Sequence, residues 1–584
     1  MFQKFPCIKV ECESTVAVGW TETARRLQSA VRAITKSRKV IVLEFYQGVL
    51  EKDVLGEMVN GLQPDILITA ESLYWPPQRI REMVSRDVTD DRVFGYMSRL
   101  QIEDYFDPEK LANARNAIAS HGEGIVLIAG IGAAIVPEYY DLLVYADMAR
   151  WEIQMRMRNH EVSNIGVRNE NVSDWMLLYK QGYFVDWRVC DRLKKSLMRH
   201  WDYVLDTNSR SEPKLVEGKA ILDGLRQTLT RPFSVVPFFD PGPWGGQWMK
   251  QVCGLDPSAA NFAWCFNCVP EENSLLLEIG GKIVEIPSIN LVFFEPERLL
   301  GSAVHSRFGD EFPIRFDFLD TMGGGNLSLQ VHPLTEYIQE KFGMHYTQDE
   351  SYYIMEAKEG AVVYLGLKDG VDRTCMIDEL EKAQAGGAPF DVERYVQTWS
   401  VRKHDHYLIP GGTVHCSGKN SVVLEISATP YIFTFKLWDW GRLGLDGRPR
   451  PINIEHGKRV IQWTRTTSWS RENLVNQFEF VGSGDGWAEE RTGLHEREFI
   501  ETRRHWFTKP VLHNTDGGVN VLTLVEGDEI IVKSPSDAFS PFVVNYAETF
   551  IVPACVGEYN IHPTERNGGR ACATIKAFVR TEAC

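Results

Sequence analysis

Ser328-Leu329-Gln330-Val331-His332-Pro333 and Tyr407-Leu408-Ile409-Pro410-Gly411-Gly412-Thr413-Val414-His415 carry the strongest structural signal in this chain. Side chains alternate between the two faces of an extended strand. Ser328, Gln330 and His332 therefore share one face, Leu329 and Val331 the other, and Pro333 ends the run. Gln and His at alternate positions do not make an apolar core face; they suit the interior of a barrel that holds something polar. In the second segment, Pro-Gly-Gly makes a tight turn and permits close backbone approach. Thr413 and His415 then fall on one strand face.

Two further pieces belong with these. Residues 349–354 (DESYYI) begin a strand of aromatic and β-branched residues at Glu350, and residues 422–426 (VVLEI) carry Glu425. A single histidine is more often a hydrogen-bonded residue than a ligand. Two His, one Glu and one Gln on barrel strands are a more specific set. Imidazole with carboxylate suits Zn²⁺ or another divalent metal, one per chain, with positions left open for water or substrate.

Moving outward, the texture after Pro232 is short strands punctuated by Gly and Pro, as in β-sandwiches and barrels. Residues 451–495 read as mixed, and the Gly and Ser around 482–486 read as a linker or boundary. Short strands return at 519–526, 529–532 and 549–553. Before Pro232 the chain alternates instead. Runs at 39–44 (KVIVLE), 65–69 (DILIT), 124–129 and 142–145 read as strands, with helices at 108–120 and 150–158 between them. Such alternation predicts a parallel sheet covered on both faces. Residues 186–230 read as helical and charged, and 188–203, with apolar positions at helical spacing, covers that domain or bridges to the next. The expected division is 1–230, 231–480 and 481–584.

A chain of 584 residues has room for about three to five such domains. Its net charge of −16 disfavours general binding to nucleic acid or anionic membranes, while leaving room for a local basic pocket. Eleven cysteines form no dense framework, and the lone C-x-x-C, Cys265 to Cys268, lacks the second pair a zinc ribbon needs. Free thiols in an acidic chain point to the cytoplasm. The first residues show no apolar signal-peptide core, and the longest apolar run, 124–136, is shorter than a membrane span of about 18 residues.

The ordered motifs LSLQVHP, DESYYIMEA, YLIPGGTVH, VVLEIS and WDWGRLG resemble those of the type I phosphomannose isomerases, a cupin family, from about residue 238 to the C-terminus. The resemblance implies cupin-type β-barrel domains and a metal held by Gln330, His332, Glu350 and His415. It implies proton transfer at Glu425, a cation on substrate oxygens at Lys436, and substrate binding at Ser328 and Arg442. The chain departs from the family at Gln348, where a Lys is usual, at Lys436, where an Arg is usual, and at Cys265, where an acid is usual. Lysine keeps the charge of arginine but not its planar fork.

A weaker resemblance, over about 35–205, is to uridine-kinase-like P-loop proteins. Residues 40–53 (VIVLEFYQGVLEKD) stand where a G-x-x-x-x-G-K-[ST] loop would. Aligned on Lys52, both glycines and the hydroxyl are missing. Those glycines let backbone N–H groups cradle phosphate, and the hydroxyl holds Mg²⁺. The expectation is a multidomain α/β plus β protein: a kinase-like α/β domain with a degenerate phosphate loop, then cupin-type domains. The expected function is metal-dependent mannose 6-phosphate/fructose 6-phosphate isomerisation, or that of a related sugar phosphate, through an enediol. The alternative is a non-catalytic sugar-phosphate sensor. The expected partner is a sugar phosphate, without nucleic acid or membrane, and self-association into a homo-oligomer is left open.

Overall fold

The structure is a computed structural model that describes residues 1–429, 432–444, 447, 450–496 and 498–581. The chain folds into two compact units. One comprises Cys7–Gln227 with Ser274–Phe294; the other comprises Met1–Pro6, Thr228–Asn273 and Glu295–Cys584.

The first unit is built on a seven-stranded sheet. Its order is Ala17–Val18, Lys214–Glu217, Tyr203–Asp206, Leu142–Asp147, Arg38–Phe45, Gly124–Gly130 and Ile66–Thr69. The five strands from Tyr203–Asp206 to Ile66–Thr69 are mutually parallel. Their β-branched and aliphatic residues are buried on both faces, as a sheet flanked by helices requires. Helix Pro108–Ser120 starts at Asp107, whose carboxylate accepts from the backbone N–H groups of Glu109 and Lys110. The expected strands and helices are all present. Helix Trp187–Leu197, strand Tyr203–Asp206, the antiparallel strand Lys214–Glu217 and helix Gly218–Leu229 resolve what reads as one helical stretch.

Strand Arg38–Phe45 is first of the five in the chain and central in the sheet, so successive strands are laid down on either side of it. Ligand crevices of α/β sheets open beside such a strand, at its C-terminal end. Here that position is filled by side chains. Tyr46 and Gln47 are buried, Tyr46 Oη donates to Asp191 at 2.8 Å, and Gln47 accepts from Trp187 Nε1 at 2.9 Å. Arg150 pairs with Asp191 at 2.5 Å and Lys194 with Asp147 at 2.8 Å, all four buried. A Cβ at Gly48, whose φ is +101°, would meet Ile153 at 2.8 Å.

This unit also holds a second sheet, Cys7–Lys9, Ser274–Ile279 and Lys282–Pro287. The hairpin 274–287 lies well past Pro232, so its texture reads as part of the β-rich half, yet it completes the α/β unit.

The second unit contains two pairs of sheets. In the first pair, a six-stranded sheet runs His406–Ile409, Glu350–Ala357, Ser421–Ala428, Ile314–Asp320, Trp264–Cys268 and Phe238–Asp240. A five-stranded sheet runs Val396–Ser400, Val362–Leu367, His415–Ser417, Leu329–Val331 and Phe435–Trp438. The expected closed barrel is not formed. The strands pair within two separate ladders, and each ladder carries register shifts, at Phe266/Cys268 and Ile354/Glu356 in the first and at Tyr364/Leu367 and Leu329/Gln330 in the second. Cys265 and Cys268 are buried in strand Trp264–Cys268, and burial pushes both thiols up.

The second pair lies at the C-terminus. Strands Ile500–Phe507, Cys572–Val579 and Asn520–Glu526 are central in its six-stranded sheet, and Val511–Asn514 and Glu558–Pro563 lead its four-stranded one. Phe507, Leu522, Leu524, Ile530, Phe550 and Tyr559 form part of the apolar core here. The stretch 482–486, which reads as a linker, is the turn of a hairpin between Glu479–Gly484 and Trp487–Arg491. Among the described residues no helix is long and apolar enough to cross a membrane.

Candidate metal centre

Leu329 and Val331 are buried on the apolar side of their short strand, which leaves Gln330 facing the other way. Gln330 stands opposite His415 on one side and Lys436 on the other. Glu350 opens the strand Glu350–Ala357, on the facing sheet, opposite Ile409 and Ser427. The turn that delivers His415 is held by Gly411 N–H donating to Asp349 at 2.7 Å and by Arg465 donating to the carbonyls of Pro410 and Gly411 at 2.7 Å. Thr413 belongs to this turn rather than to the strand, which starts at His415.

Glu350 is the point of convergence. Its Oε2 lies 3.2 Å from His332 Nε2 and its Oε1 2.8 Å from His415 Nε2. All three side chains are buried, and their donor atoms lie within 4.8 Å of one another. Gln330 Nε2 adds an amide 3.2 Å from His415 Nε2. His415 Nδ1 faces the Thr413 carbonyl at 2.9 Å, and His332 Nδ1 faces that of Phe433 at 3.4 Å. A carbonyl only accepts, so each ring carries its proton on Nδ1. In the neutral rings both Nε2 lone pairs then face a carboxylate, a repulsive arrangement that a cation between them reverses. Neither His332 Nε2 nor Glu350 Oε1 has a hydrogen bond of good geometry. Burial works to raise the Glu350 carboxyl, but the charge that His332 and His415 carry when protonated outweighs it and holds the group well below the usual range. A divalent cation fits this donor set: two imidazoles positioned by carbonyls, one carboxylate and one amide.

Beside this group lies a second buried cluster. Gln348 bridges it, donating to Glu350 Oε2 at 3.2 Å and to Glu425 Oε1 at 3.3 Å. Arg315, which the sequence reading missed, meets Glu425 at 2.5 Å and Asp317 at 3.2 Å. Burial pushes Asp317 up to about 7, with Arg315 opposing. Burial, then Asp317 and Glu350, push Glu425 well above the carboxylate range. The signal for Arg315 was its alternation with Asp317 on strand Ile314–Asp320, two charges among phenylalanines.

The other expected residues form a third group around Asp439. Ser328 donates to Asp439 at 2.8 Å and Arg442 does so at 2.6 Å. Arg450, also missed, donates to Asp439 at 2.9 Å and to Ser328 at 3.1 Å. Lys436 keeps part of its stem accessible, but its ammonium is enclosed; burial, then Arg450, bring it down to about 7, with Asp439 opposing. Ser328 and Arg442 thus meet at Asp439 rather than at the His–Glu–His group, and Lys436 stands beside Gln330, which faces His415 on its other side.

Fold and site together define a protein with a buried His–Glu–His centre, suited to a divalent metal, set between β-sheets. Among known proteins, a family model described as a domain of unknown function (DUF8485) matches residues 19–230. The mannose-6-phosphate isomerase of Streptococcus mutans serotype c (strain ATCC 700610 / UA159) is 27% identical over 220 residues, which cover 37% of this chain and 64% of the relative. The mannose-6-phosphate isomerase ManA of Bacillus subtilis (strain 168) is 28% identical over 233 residues, covering 40% and 69%. The chain thus spans about two thirds of the length of the curated relatives it matches. Of solved structures, the mannose 6-phosphate isomerase from Bacillus subtilis aligns with 59% of this chain and 99% of its own, at 19% identity and a TM-score of 0.49. A zinc-bound mannose 6-phosphate isomerase aligns with 60% and 100%, at 13% identity and a TM-score of 0.46.

Proposed function

We propose that this chain is a divalent-metal-dependent aldose–ketose isomerase acting on a sugar phosphate. Mannose 6-phosphate, which the names of similar proteins carry, and its ketose fructose 6-phosphate are the first pair to test. The convergence of His332 and His415 on Glu350, with Glu425 one amide away, carries the reading. Gln330, His332, Glu350 and His415 would hold the metal, with Zn²⁺ favoured by the donor types. When bound, it supplies positive charge to the oxygens at C1 and C2 of the sugar.

The chain's own residues account for the rest. Glu425 takes the proton from C2 of the aldose, leaving an enediol, and returns it to C1 as the carbonyl forms at C2. Arg315 positions Glu425 and compensates its charge when ionised. Lys436, its pKa brought down to about 7, gives a proton to O1 as the enediol forms and takes the hydroxyl proton of O2 as the carbonyl forms at C2, which restores it. Ser328, Arg442 and Arg450 bind the phosphate. The three-part division at about 230 and 480 is the domain scheme we favour, and the free thiols suit a reducing compartment such as the cytoplasm.

The N-terminal unit is read as a kinase-like fold that has lost phosphate binding. The central position of strand Arg38–Phe45 and the side chains packed after it support this.

Purified protein loaded with zinc should convert mannose 6-phosphate to fructose 6-phosphate, and a chelator or His415→Ala should abolish the conversion. No turnover on a panel of hexose and pentose phosphates, with metal bound, would end the isomerase reading.

A further inference from the structure

The C-terminal pair of sheets has an interior that changes character along its length. One end is the apolar core around Phe507, Leu522 and Leu524. At the other, strands Ile500–Phe507 and Cys572–Val579 run in register with Arg503 opposite Lys576 and His505 opposite Thr574. A cavity of about 330 Å³ opens here, lined by Arg503, Lys576, Asn514, Asn520, Asp516 and Phe578 among others. None of its lining residues belongs to the metal centre or to the cluster around Asp439. Its size lies at the lower end of small-molecule sites, roughly 300–1,000 Å³.

The polar groups around it are not satisfied by the protein. Lys576 is only 7% exposed, and among the described residues no carboxylate lies within ion-pair distance of it. Its neighbour Arg503 is paired twice, with Glu501 at 2.7 Å and Glu489 at 3.0 Å. His505 pairs with Glu489 at 3.0 Å through Nε2, which leaves its buried Nδ1 without a partner. His513 packs edge-on to His505, with ring centroids 4.5 Å apart, and its Nε2 is also buried and unpartnered, as is Thr574 Oγ1. Buried polar atoms are nearly always bonded to protein, water or ligand. Three such atoms, on the strands that carry the lining residues Arg503, Asn514 and Lys576, together with a buried cation that lacks a carboxylate partner, mark a binding site rather than a packing fault.

We propose that this cavity is a second ligand site, for a small anion that also bears hydroxyl groups, such as a monosaccharide phosphate. Lys576 supplies the charge for the anion. Asn514, Asn520 and Asp516 supply donors and acceptors for hydroxyls, and Phe578 flanks Lys576 with its ring 5.4 Å from the ammonium. Among the described residues, metal-type donors converge within 4.8 Å only at His332, Glu350 and His415, so the cavity is not a second metal site. The proposal stands whether or not the metal centre is an isomerase.

Lys576 also provides the readout. Burial lowers its pKa, so it should react readily with an amine-directed acylating reagent near neutral pH. Glucose 6-phosphate, gluconate and inorganic phosphate serve as probes in separate arms, with the modification of the Lys576 peptide followed by mass spectrometry in the full-length protein. A probe at ten times its dissociation constant should protect Lys576 about tenfold. Protection by the hydroxylated anions but not by phosphate supports the full proposal. Protection by phosphate alone, or by none of the three, overturns it. Asn520→Ala keeps Lys576 and should weaken protection; wild-type protection in that variant would also overturn the assignment. Because the signal is read at Lys576, binding at the metal centre does not enter it.

Discussion

Arg315 is the side chain that lets Asp317 and Glu425 lie together in the interior. Removing one partner of a buried ion pair costs far more than the pair contributes, about 3–5 kcal/mol. Arg315→Met should therefore lower the unfolding free energy of the metal-bearing unit, read from its denaturant curve, by an amount of that order, and Arg315→Lys should recover part of it. Equal midpoints for Arg315→Met and wild type would show that the cluster does not depend on this cation. His415→Ala should remove the metal itself, read as metal content per chain after dialysis, and with it all isomerase activity. The convergence of His332, Glu350 and His415, with Gln330 beside His415, was legible because alternation puts Gln330 and His332 on one strand face and because the order of the motifs resembles a known set. Arg315 was not, since a charged residue on a strand ordinarily reads as an exposed position. Arg450 was missed for another reason: it meets Asp439 from a position beyond the WDWGRLG motif, outside the stretches that carried the resemblance.

At the level of the element, the turn before His415 does more than join two strands. Gly412 has a φ of +89°, and a Cβ there would meet Gln462 Cγ at 2.7 Å and the Val460 carbonyl at 2.8 Å. A side chain in that backbone region costs about 1–2 kcal/mol before any clash is counted. Gly412→Ala should thus weaken metal binding, measured by competition with a chromophoric chelator, although it alters no ligand; unchanged affinity would show that the turn does not set the position of His415. Strands that bury aliphatic runs were readable one by one. Which sheet each joins was not, because pairing partners lie far apart in the chain. Tyr203–Asp206 and Lys214–Glu217 read as helix from their charge, yet they extend the N-terminal sheet. The hairpin 274–287 looked like its β-rich neighbours, yet it belongs to the α/β unit. The barrel that the motifs imply is likewise two separate sheets, since local strand patterns do not encode which edges pair.

Across the whole molecule, the two units should answer to different variables. The N-terminal unit buries carboxyls without cations: burial pushes Glu44 up to about 8 and Asp186 up to about 7, from ordinary values of 4.5 and 3.8. A carboxyl with a higher pKa folded than unfolded holds its proton more tightly in the native state. Its contribution is full below the unfolded value and is lost as pH rises through the folded one. Thermal stability of this unit should therefore fall between about pH 4 and pH 8, each unit of separation being worth about 1.4 kcal/mol. Asp186→Asn should flatten the dependence; an unchanged slope would point to other groups. A chelator should instead move the melting of the metal-bearing unit alone, since metal at a thousandfold excess over its dissociation constant adds about 4 kcal/mol.

The hairpin inserted at Ser274–Phe294 has a further consequence, for synthesis on the ribosome. Cys7–Lys9 emerges well before its sheet partner Ser274–Ile279, which follows only after residues 228–273 of the other unit. At roughly 5–20 residues per second, the edge of that small sheet waits unpaired for many seconds. An open strand edge is a template for other chains. The nascent protein thus has a built-in interval in which it needs shielding, and silent codon changes that slow translation between 228 and 294 should lower soluble yield without altering a single amino acid.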